Sequence, residues 1–389
     1  MLSFWERESF TRYDYIIIGS GITGLSVAAE LVENQPKARI VVLERGIFPT
    51  GASTKNAGFA CIGSPTELLS DLKLMSTEEV STLVAMRFNG LKLLRRRLGD
   101  HVIKYRERGS YELLSEKELP CLDKIPYLNK LLYPIVKADA FVQNNSIIDQ
   151  YGFNKQYFKG SITNHCEGQL DTGAMMQGLL NYVQRRGVQV INGAEVVRWH
   201  DNRQKVAVQV KHPTLATDIV FTAKKIAVCT NAFAKQLLPN VDILPGRGQV
   251  IATKPLDKLP FKGTYHFDEG FYYFRNHGNR VIFGGGRNLD FDVENSTEFR
   301  YNEKIMNELA TKLQEHILPQ TPFEIDMRWV GIMAFGKTKY PHLFIHSPNV
   351  AVGVKLSGMG MSIGSELGRR IAHLMDIKPV MARKATLTS

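Results

Sequence analysis

The sequence predicts an α/β chain in which a Rossmann-like dinucleotide-binding domain is combined with a second α+β domain built on an antiparallel sheet. Three observations predict it. Near the N-terminus a β-branched run, Tyr15 to Ile18, turns at Gly19-Ser-Gly21-Ile-Thr-Gly24 into an apolar helix from Leu25 to Val32. A second apolar run, Arg39 to Glu44, ends on an acid about 20 residues beyond the last glycine, the spacing at which a ribose hydroxyl meets its acceptor. From Leu244 onward the pattern changes to short runs separated by turn residues, the mark of antiparallel pairing.

Each part of the opening motif has a physical reason. A continuous apolar run suits a strand covered on both faces. Gly19 permits the tight turn, Gly21 lets the backbone approach a pyrophosphate, and Gly24 lets the helix pack closely on the strand. The helix start, at Ile22 and Thr23, then presents free N–H groups and the positive end of its dipole to an anion. Glu44 is the expected ribose acceptor, with Arg45 next to it.

Composition bounds the rest. A chain of 389 residues, 44% hydrophobic, holds two or three domains' worth of core. No window reads as a membrane span, and the N-terminus has acids and no apolar h-region, so a cytoplasmic protein is expected. Four scattered cysteines with no C-x-x-C pair argue against a disulfide framework or zinc site. The histidines show no metal spacing, and no metal is expected. The net charge of +11 comes from basic runs such as Arg95-Arg96-Arg97 and Arg369-Arg370, spread along the chain. Solvated faces and attraction for an anionic cofactor account for it, and a nucleic-acid partner is not expected.

The remaining elements follow in order. Arg45 to Gly63 is a loop of glycines, alanines and hydroxyls, suited to lie against a flat ring or a phosphate with Ser53 and Thr54 as donors. Ser76-Thr-Glu-Glu79 is a capping box that opens a helix with Val80, Leu83, Val84, Leu91, Leu94 and Leu98 on its apolar side. Residues from about 100 to 160 include a short strand at Ser110–Leu114. A helix is expected over Gly173–Arg186, capped by Asp171 or Thr172. Strands follow at Ala194–Trp199 and from Ile226. Phe271–Arg275 and Arg280–Arg287 form a hairpin around Asn276-His-Gly-Asn279, and a helix is expected over Phe299–Ile317, stopped by Pro319. Strand alternation sends Tyr272 and Tyr273 to opposite faces, so only one can line a pocket. Val350 to Met361 reads as a strand and a Gly-rich turn before a last helix.

These motifs resemble the D-amino-acid-oxidase-type FAD-dependent oxidoreductases, a family that includes glycine oxidase, sarcosine oxidase and γ-glutamylputrescine oxidase. The likeness rests on the nucleotide turn, the acidic strand end, Gly51-Ala-Ser-Thr-Lys-Asn-Ala-Gly58, and Ser357-Gly-Met-Gly-Met361 in the order that family requires. It implies FAD, held by Ala52, Ser53, Ala57, Gly58 and Phe59 along the pyrophosphate and ring, by Val196 or Val197 at the adenine, and by the strand ending at Thr230. Ser357, Gly358, Met359, Gly360 and Met361 would face the flavin's pyrimidine edge, where a helix N-terminus stabilises negative charge. The implied FAD-binding domain is discontinuous, over 1–88, 150–240 and 326–389, with 89–149 and 241–325 as the substrate domain.

Several positions depart from that family. Met333 stands where some members carry a carboxylate-binding arginine, Met359 replaces a frequent histidine, and Ser362 replaces a sarcosine-type lysine. No cysteine falls at the flavinylation positions, so the FAD is expected to be noncovalent. Tyr272, Tyr273, Met333 and Met359 are the pocket candidates, and Lys55, Arg275, Lys337 and Lys355 the cations for an anionic substrate group. The implied reaction is oxidation of a C–N bond in an amine or amino acid, with oxygen or a quinone as electron acceptor. The alternatives are a 2-hydroxy acid or glycerol-phosphate dehydrogenase, a flavoenzyme acting on a tRNA wobble uridine, and a flavin-binding regulatory protein without turnover.

Overall fold

The structure, a computed structural model, describes residues 2–212 and 218–376; residues 377–389, the end of the expected nucleotide-binding segment, lie outside it. The apolar run folds as the strand Arg12–Ile18, in the middle of an eight-stranded sheet. It pairs in parallel with Ile40–Leu43 on one side and Ile219–Val228 on the other, with Ile16 opposite Val41 and Ile226. Gln189–Ile191 and Val350–Val354 extend the parallel core, and His342–Ser347 closes one edge antiparallel. Ile16, Ile17, Val41 and Val42 are fully buried, which is why this run carries no polar alternation.

Two helices cross on this sheet at small residues. Helix Gly360–Asp376 lies against helix Ile22–Asn34, where a Cβ at Gly364 would stand 2.6 Å from Ile22 and one at Gly368 2.5 Å from Ser26. Larger residues there would force the helices apart and lift the nucleotide turn off the sheet. Helix Thr77–Leu98 begins at the Ser76–Glu79 capping box, and helix Thr172–Gln184 is capped by Asp171.

A second eight-stranded sheet follows the order Ile325–Phe335, Leu244–Thr253, Arg280–Gly285, Tyr272–His277, Thr264–Phe267, Ser110–Leu114, Gly160–Asn164, Phe141–Gln143. All its pairs are antiparallel except Thr264–Phe267 with Ser110–Leu114. Two of its strands, Gly160–Asn164 and Ile325–Phe335, fall in or reach into segments that the sequence allotted to the nucleotide-binding part. One face packs Tyr265, Phe267, Tyr272, Phe274 and Phe283 into an aromatic core against Phe153, Phe158 and helix Glu303–Lys312. That helix starts later than Phe299, because Tyr301 stays outside it, its hydroxyl donating to Arg328 O at 3.0 Å.

Candidate active site

A cavity of about 470 Å³ runs from the dinucleotide turn to the inner face of the second sheet. A single water needs only about 15 Å³, so the space is ligand-sized. At one end it is lined by Gly19, Gly21, Ile22, Thr23, Glu44 and Arg45. Gly19 has φ +101°, and a Cβ at Gly24 would stand 1.9 Å from Gly19 O. Gly24 therefore serves helix–strand packing and does not itself line the cavity.

The acid at the end of the second strand is held in place. One Glu44 oxygen accepts from Ser20 N at 3.0 Å and Ser20 Oγ at 2.7 Å, and the other accepts from Gly46 N at 2.9 Å. The short turn Ala52–Lys55 reaches the helix start through Ile22 N, which donates to Ser53 Oγ at 3.0 Å. It reaches the second sheet through Trp329 Nε1, which donates to Lys55 O at 2.8 Å. Across the cavity, Ser357 (φ +48°) and Gly358 (φ +82°) turn the chain into the last helix. Thr230 Oγ1 and Ser357 Oγ are buried and lack a hydrogen-bond partner, although both residues line the cavity. Unpaired buried hydroxyls are uncommon, and these two lie where a ligand could pair them.

The second sheet supplies one rung of side chains. Register places Glu112, His266, Tyr273, Gly284, Val250 and Trp329 directly across from one another, on one face. The Tyr273 ring lies over Gly284, where a Cβ would stand 2.7 Å from it. Phe59 meets His266 and Tyr273 edge-on, with ring centroids at 4.9 and 5.6 Å.

Behind this rung is a buried set of charges. Lys339 Nζ lies 3.4 Å from Glu67 and 3.1 Å from Asp71. Burial works to raise the Glu67 pKa, but Lys339, His266 and Arg87 outweigh it and bring the carboxyl to about 2. Burial lowers His266 below its ordinary value, with Glu67 pulling the other way. Burial also pushes Glu112 up to about 8, against hydrogen bonds from Thr66 and Ser64, and Glu167 up to about 7. Arg287 lines the cavity with its guanidinium 4.3 Å from the Phe335 ring; its Nε is buried without a partner.

Most residues singled out from sequence line the cavity: Gly19, Gly21, Ile22, Thr23, Glu44, Arg45, Ala52, Ser53, Ala57, Phe59, Val196, Thr230, Tyr273, Met333 and the whole of Ser357–Met361. Five others do not. Tyr272 is 1% exposed in the aromatic core, since its neighbour takes the cavity face. Val197 points to solvent for the same reason, beside Val196. Thr54 Oγ1 donates to Pro49 O at 2.7 Å and so closes its own loop. Gly58, at φ +78°, packs on Leu170 O, and Gly24 packs on Gly19.

Of the four cations, Lys55 lines the cavity, whereas Lys337 and Lys355 fall outside the lining. Arg275 is a buried staple that donates to Ala57 O, Gly58 O and Leu170 O. Glu67, His266, Arg287 and Lys339 line the cavity and escaped the sequence reading. Ser64-Pro-Thr-Glu67 is legible as a capped helix start, but a cap says nothing about what the helix faces. Among the described residues no cluster of His, Cys, Asp or Glu could hold a metal, and no helix is long and apolar enough to cross a membrane.

Residues 14–374 match the family model described as "DAO: FAD dependent oxidoreductase". The chain is 25% identical over 399 residues to gamma-glutamylputrescine oxidoreductase of Escherichia coli, covering 95% of this chain and 84% of that protein. Its fold is similar to that of L-proline dehydrogenase from P. horikoshii, with a TM-score of 0.77 at 15% identity over 94% of both chains. Glycine oxidase from Geobacillus kaustophilus gives 0.74 at 18% identity, over 95% of this chain and 96% of that one. With a match spanning nearly the whole chain, the protein belongs to the DAO family of FAD-dependent oxidoreductases.

Proposed function

We propose that this enzyme oxidises the C–N bond of an amine or amino acid, with the FAD held noncovalently. The observation that carries the reading is the continuity of the cavity, from the dinucleotide turn to a pocket combining an apolar wall with a few polar groups. That combination suits a small organic substrate. The residues present fit FAD: a helix start with glycine at its N-cap, Gly21, a fixed carboxylate at Glu44, and unpaired hydroxyls on Thr230 and Ser357. When bound, FAD supplies the hydride acceptor.

The chain's own residues would do the rest. Phe59, Tyr273, Met333 and Met359 form a wall that excludes water and orients the C–H bond. With methionine at 333, a substrate carboxylate needs another cation. Lys339 is engaged by Glu67 and Asp71, and Lys55 lies over the Phe299 ring, while Arg287 donates from Nη2 to Asn295 Oδ1 at 2.6 Å and keeps Nε without a partner. Arg287 is therefore the carboxylate partner in this reading. The names gamma-glutamylputrescine oxidoreductase and glycine oxidase belong to relatives, and they support an amine-type substrate here.

A second reading, oxidation of a 2-hydroxy acid, is favoured by His266 in the cavity, because alcohol oxidation needs a base. An anaerobic bleaching screen of the purified holoenzyme decides between them. Glycine, sarcosine, L-proline and γ-glutamylputrescine are set against lactate and glycerol 3-phosphate. Bleaching by an amine is expected; bleaching by the hydroxy compounds alone would overturn the amine reading. Admitting air then tells an oxygen-using oxidase from a dehydrogenase that passes its electrons to a quinone.

A further inference from the structure

We infer that His266 takes the proton that a substrate ammonium group must lose before oxidation, and that Glu67 holds the resulting imidazolium. This rests on the amine reading above. An ammonium nitrogen has no lone pair to support loss of hydride from the adjacent carbon, so the reacting form is the neutral amine. A simple aliphatic amine has a pKa like that of lysine, about 10, and arrives at neutral pH almost wholly protonated. In the transfer one ammonium N–H bond breaks, the proton goes to the unprotonated ring nitrogen, and the electron pair stays on the amine.

The cavity restricts which group can accept it: Glu44 and Glu195 lie at the dinucleotide end, and Glu269 is exposed to solvent. Tyr273 already holds its proton, burial pushing it up to about 12. Arg287 and Lys339 are cations. Glu67 is held ionised and weakly basic by the charges around it. His266 is 7% exposed, lines the cavity, and is kept neutral by burial. No hydrogen bond from another described residue occupies either ring nitrogen. Its ring is fixed instead by Phe59 and by the neighbouring strands.

The groups that face it divide by sign. Glu67 lines the same cavity, on helix Pro65–Asp71, whose start is tied through Ser64 and Thr66 to Glu112, the residue opposite His266; its charge favours the imidazolium. Glu112, across the neighbouring strand, is pushed up to about 8 and is protonated at neutral pH, so it adds little negative charge. Lys339 and Arg87 also favour the ionised form of Glu67, which keeps that carboxylate anionic when His266 becomes charged. Tyr273, on the other flanking strand, stays neutral.

Two measurements on the FAD-loaded protein test this. In ¹⁵N-histidine-labelled protein the His266 resonance, assigned by its loss in His266→Asn, should titrate below an ordinary histidine and move lower still in Glu67→Gln. An unmoved titration in Glu67→Gln would overturn the pairing. Anaerobic reduction is then followed against pH with whichever of glycine, sarcosine, L-proline and γ-glutamylputrescine bleaches the wild type.

His266→Asn and His266→Gln should keep their flavin and lose about 100-fold in reduction rate at neutral pH. The deficit should shrink towards pH of about 10 as free amine replaces ammonium. Profiles parallel to wild type would overturn the role. Should both variants lose flavin, Glu67→Gln decides: its acid limb shifts to lower pH if the inference holds, and an unshifted limb refutes it. If no amine bleaches the wild type, the amine reading fails and takes this one with it.

Discussion

The two sheets meet the same cavity with different parts of the polypeptide. The parallel sheet offers backbone: a glycine turn, a helix start, and a carboxylate held by three donors. The antiparallel sheet offers side chains, a single rung of Glu112, His266 and Tyr273 backed by buried charge. Backbone sites tolerate few residue types, because a Cβ in the wrong place collides with main chain. Side-chain sites tolerate many types, because their geometry is set by pairing and by what lies behind. Cofactor specificity should therefore fail by steric exclusion, and substrate chemistry by loss of electrostatic support.

The largest effect is expected behind the side-chain site. Arg87 is 1% exposed, donates from Nη1 to Ile62 O at 2.8 Å, and stabilises Glu67 and Asp71 in their ionised forms. Arg87→Met takes away that bond and one of the two permanent cations, Arg87 and Lys339, that favour the ionised carboxylates. Urea unfolding of the holoenzyme should show a loss of about 3–5 kcal/mol, the cost of breaking a buried charge set by removing one partner. A loss within error of zero would mean that Lys339 alone suffices.

The backbone site gives the next largest. Gly24→Ala brings a Cβ to 1.9 Å from Gly19 O, with no flexible atom to yield. About 3 kcal/mol of overpacking is expected, with the protein purifying short of flavin. Gly173→Ala, whose Cβ would meet only Asp171 Oδ1 at an ordinary 3.5 Å and which lies outside the cavity lining, should keep its full flavin-to-protein ratio. Equal flavin content in the two variants would break the comparison.

This difference also explains what could be read from the sequence. Gly19, Gly21, Gly24 and Glu44 were legible because their spacing is imposed by a turn whose geometry admits little else. The choices between Tyr272 and Tyr273 and between Val196 and Val197 stay open in the sequence because a strand's facing changes with each residue, and the sequence alone does not say which parity faces inward. Glu67, His266, Arg287 and Lys339 were missed because they come from a helix, a strand, a turn and a loop far apart in the chain. Only the pairing of Thr264–Phe267 with Ser110–Leu114 and Tyr272–His277 brings that rung together. Arg275 looked like a free cation; its neighbours' carbonyls, invisible in sequence, had already claimed it.

A smaller effect should separate chemistry from cofactor binding within the rung itself. Gly284→Ala puts a Cβ 2.7 Å from the Tyr273 ring, so the ring must tilt into the cavity. The flavin content should stay unchanged, while anaerobic reduction slows by about tenfold, since small misplacements of orienting groups weaken near-attack geometry. Loss of flavin in this variant would place Tyr273 with the backbone site rather than the substrate wall.

The last expected effect appears only as a change with pH; it concerns Glu112, and its sign is fixed by linkage. Buried, and accepting from Ser64 Oγ at 2.7 Å and Thr66 N at 3.2 Å, its carboxyl is nonetheless raised to about 8, against 4.5 unperturbed. The folded protein therefore binds a proton that the unfolded chain has released, and stability falls as pH rises from about 5 to about 8. Glu67 acts in the opposite sense and lower down: its contribution is present above about 4.5 and is lost as pH falls towards 2. Glu112→Gln keeps the shape and cannot ionise. Its unfolding midpoint should lie close to wild type near pH 5 and exceed it near pH 8 by several degrees, on the order of 3 kcal/mol. Glu167, raised to about 7, would leave a residual slope in the variant. An unchanged difference between the two pH values would mean that Glu112 ionises inside the fold without cost. In that case water reaches the back of the rung, and the low-dielectric setting that keeps His266 neutral would be lost with it.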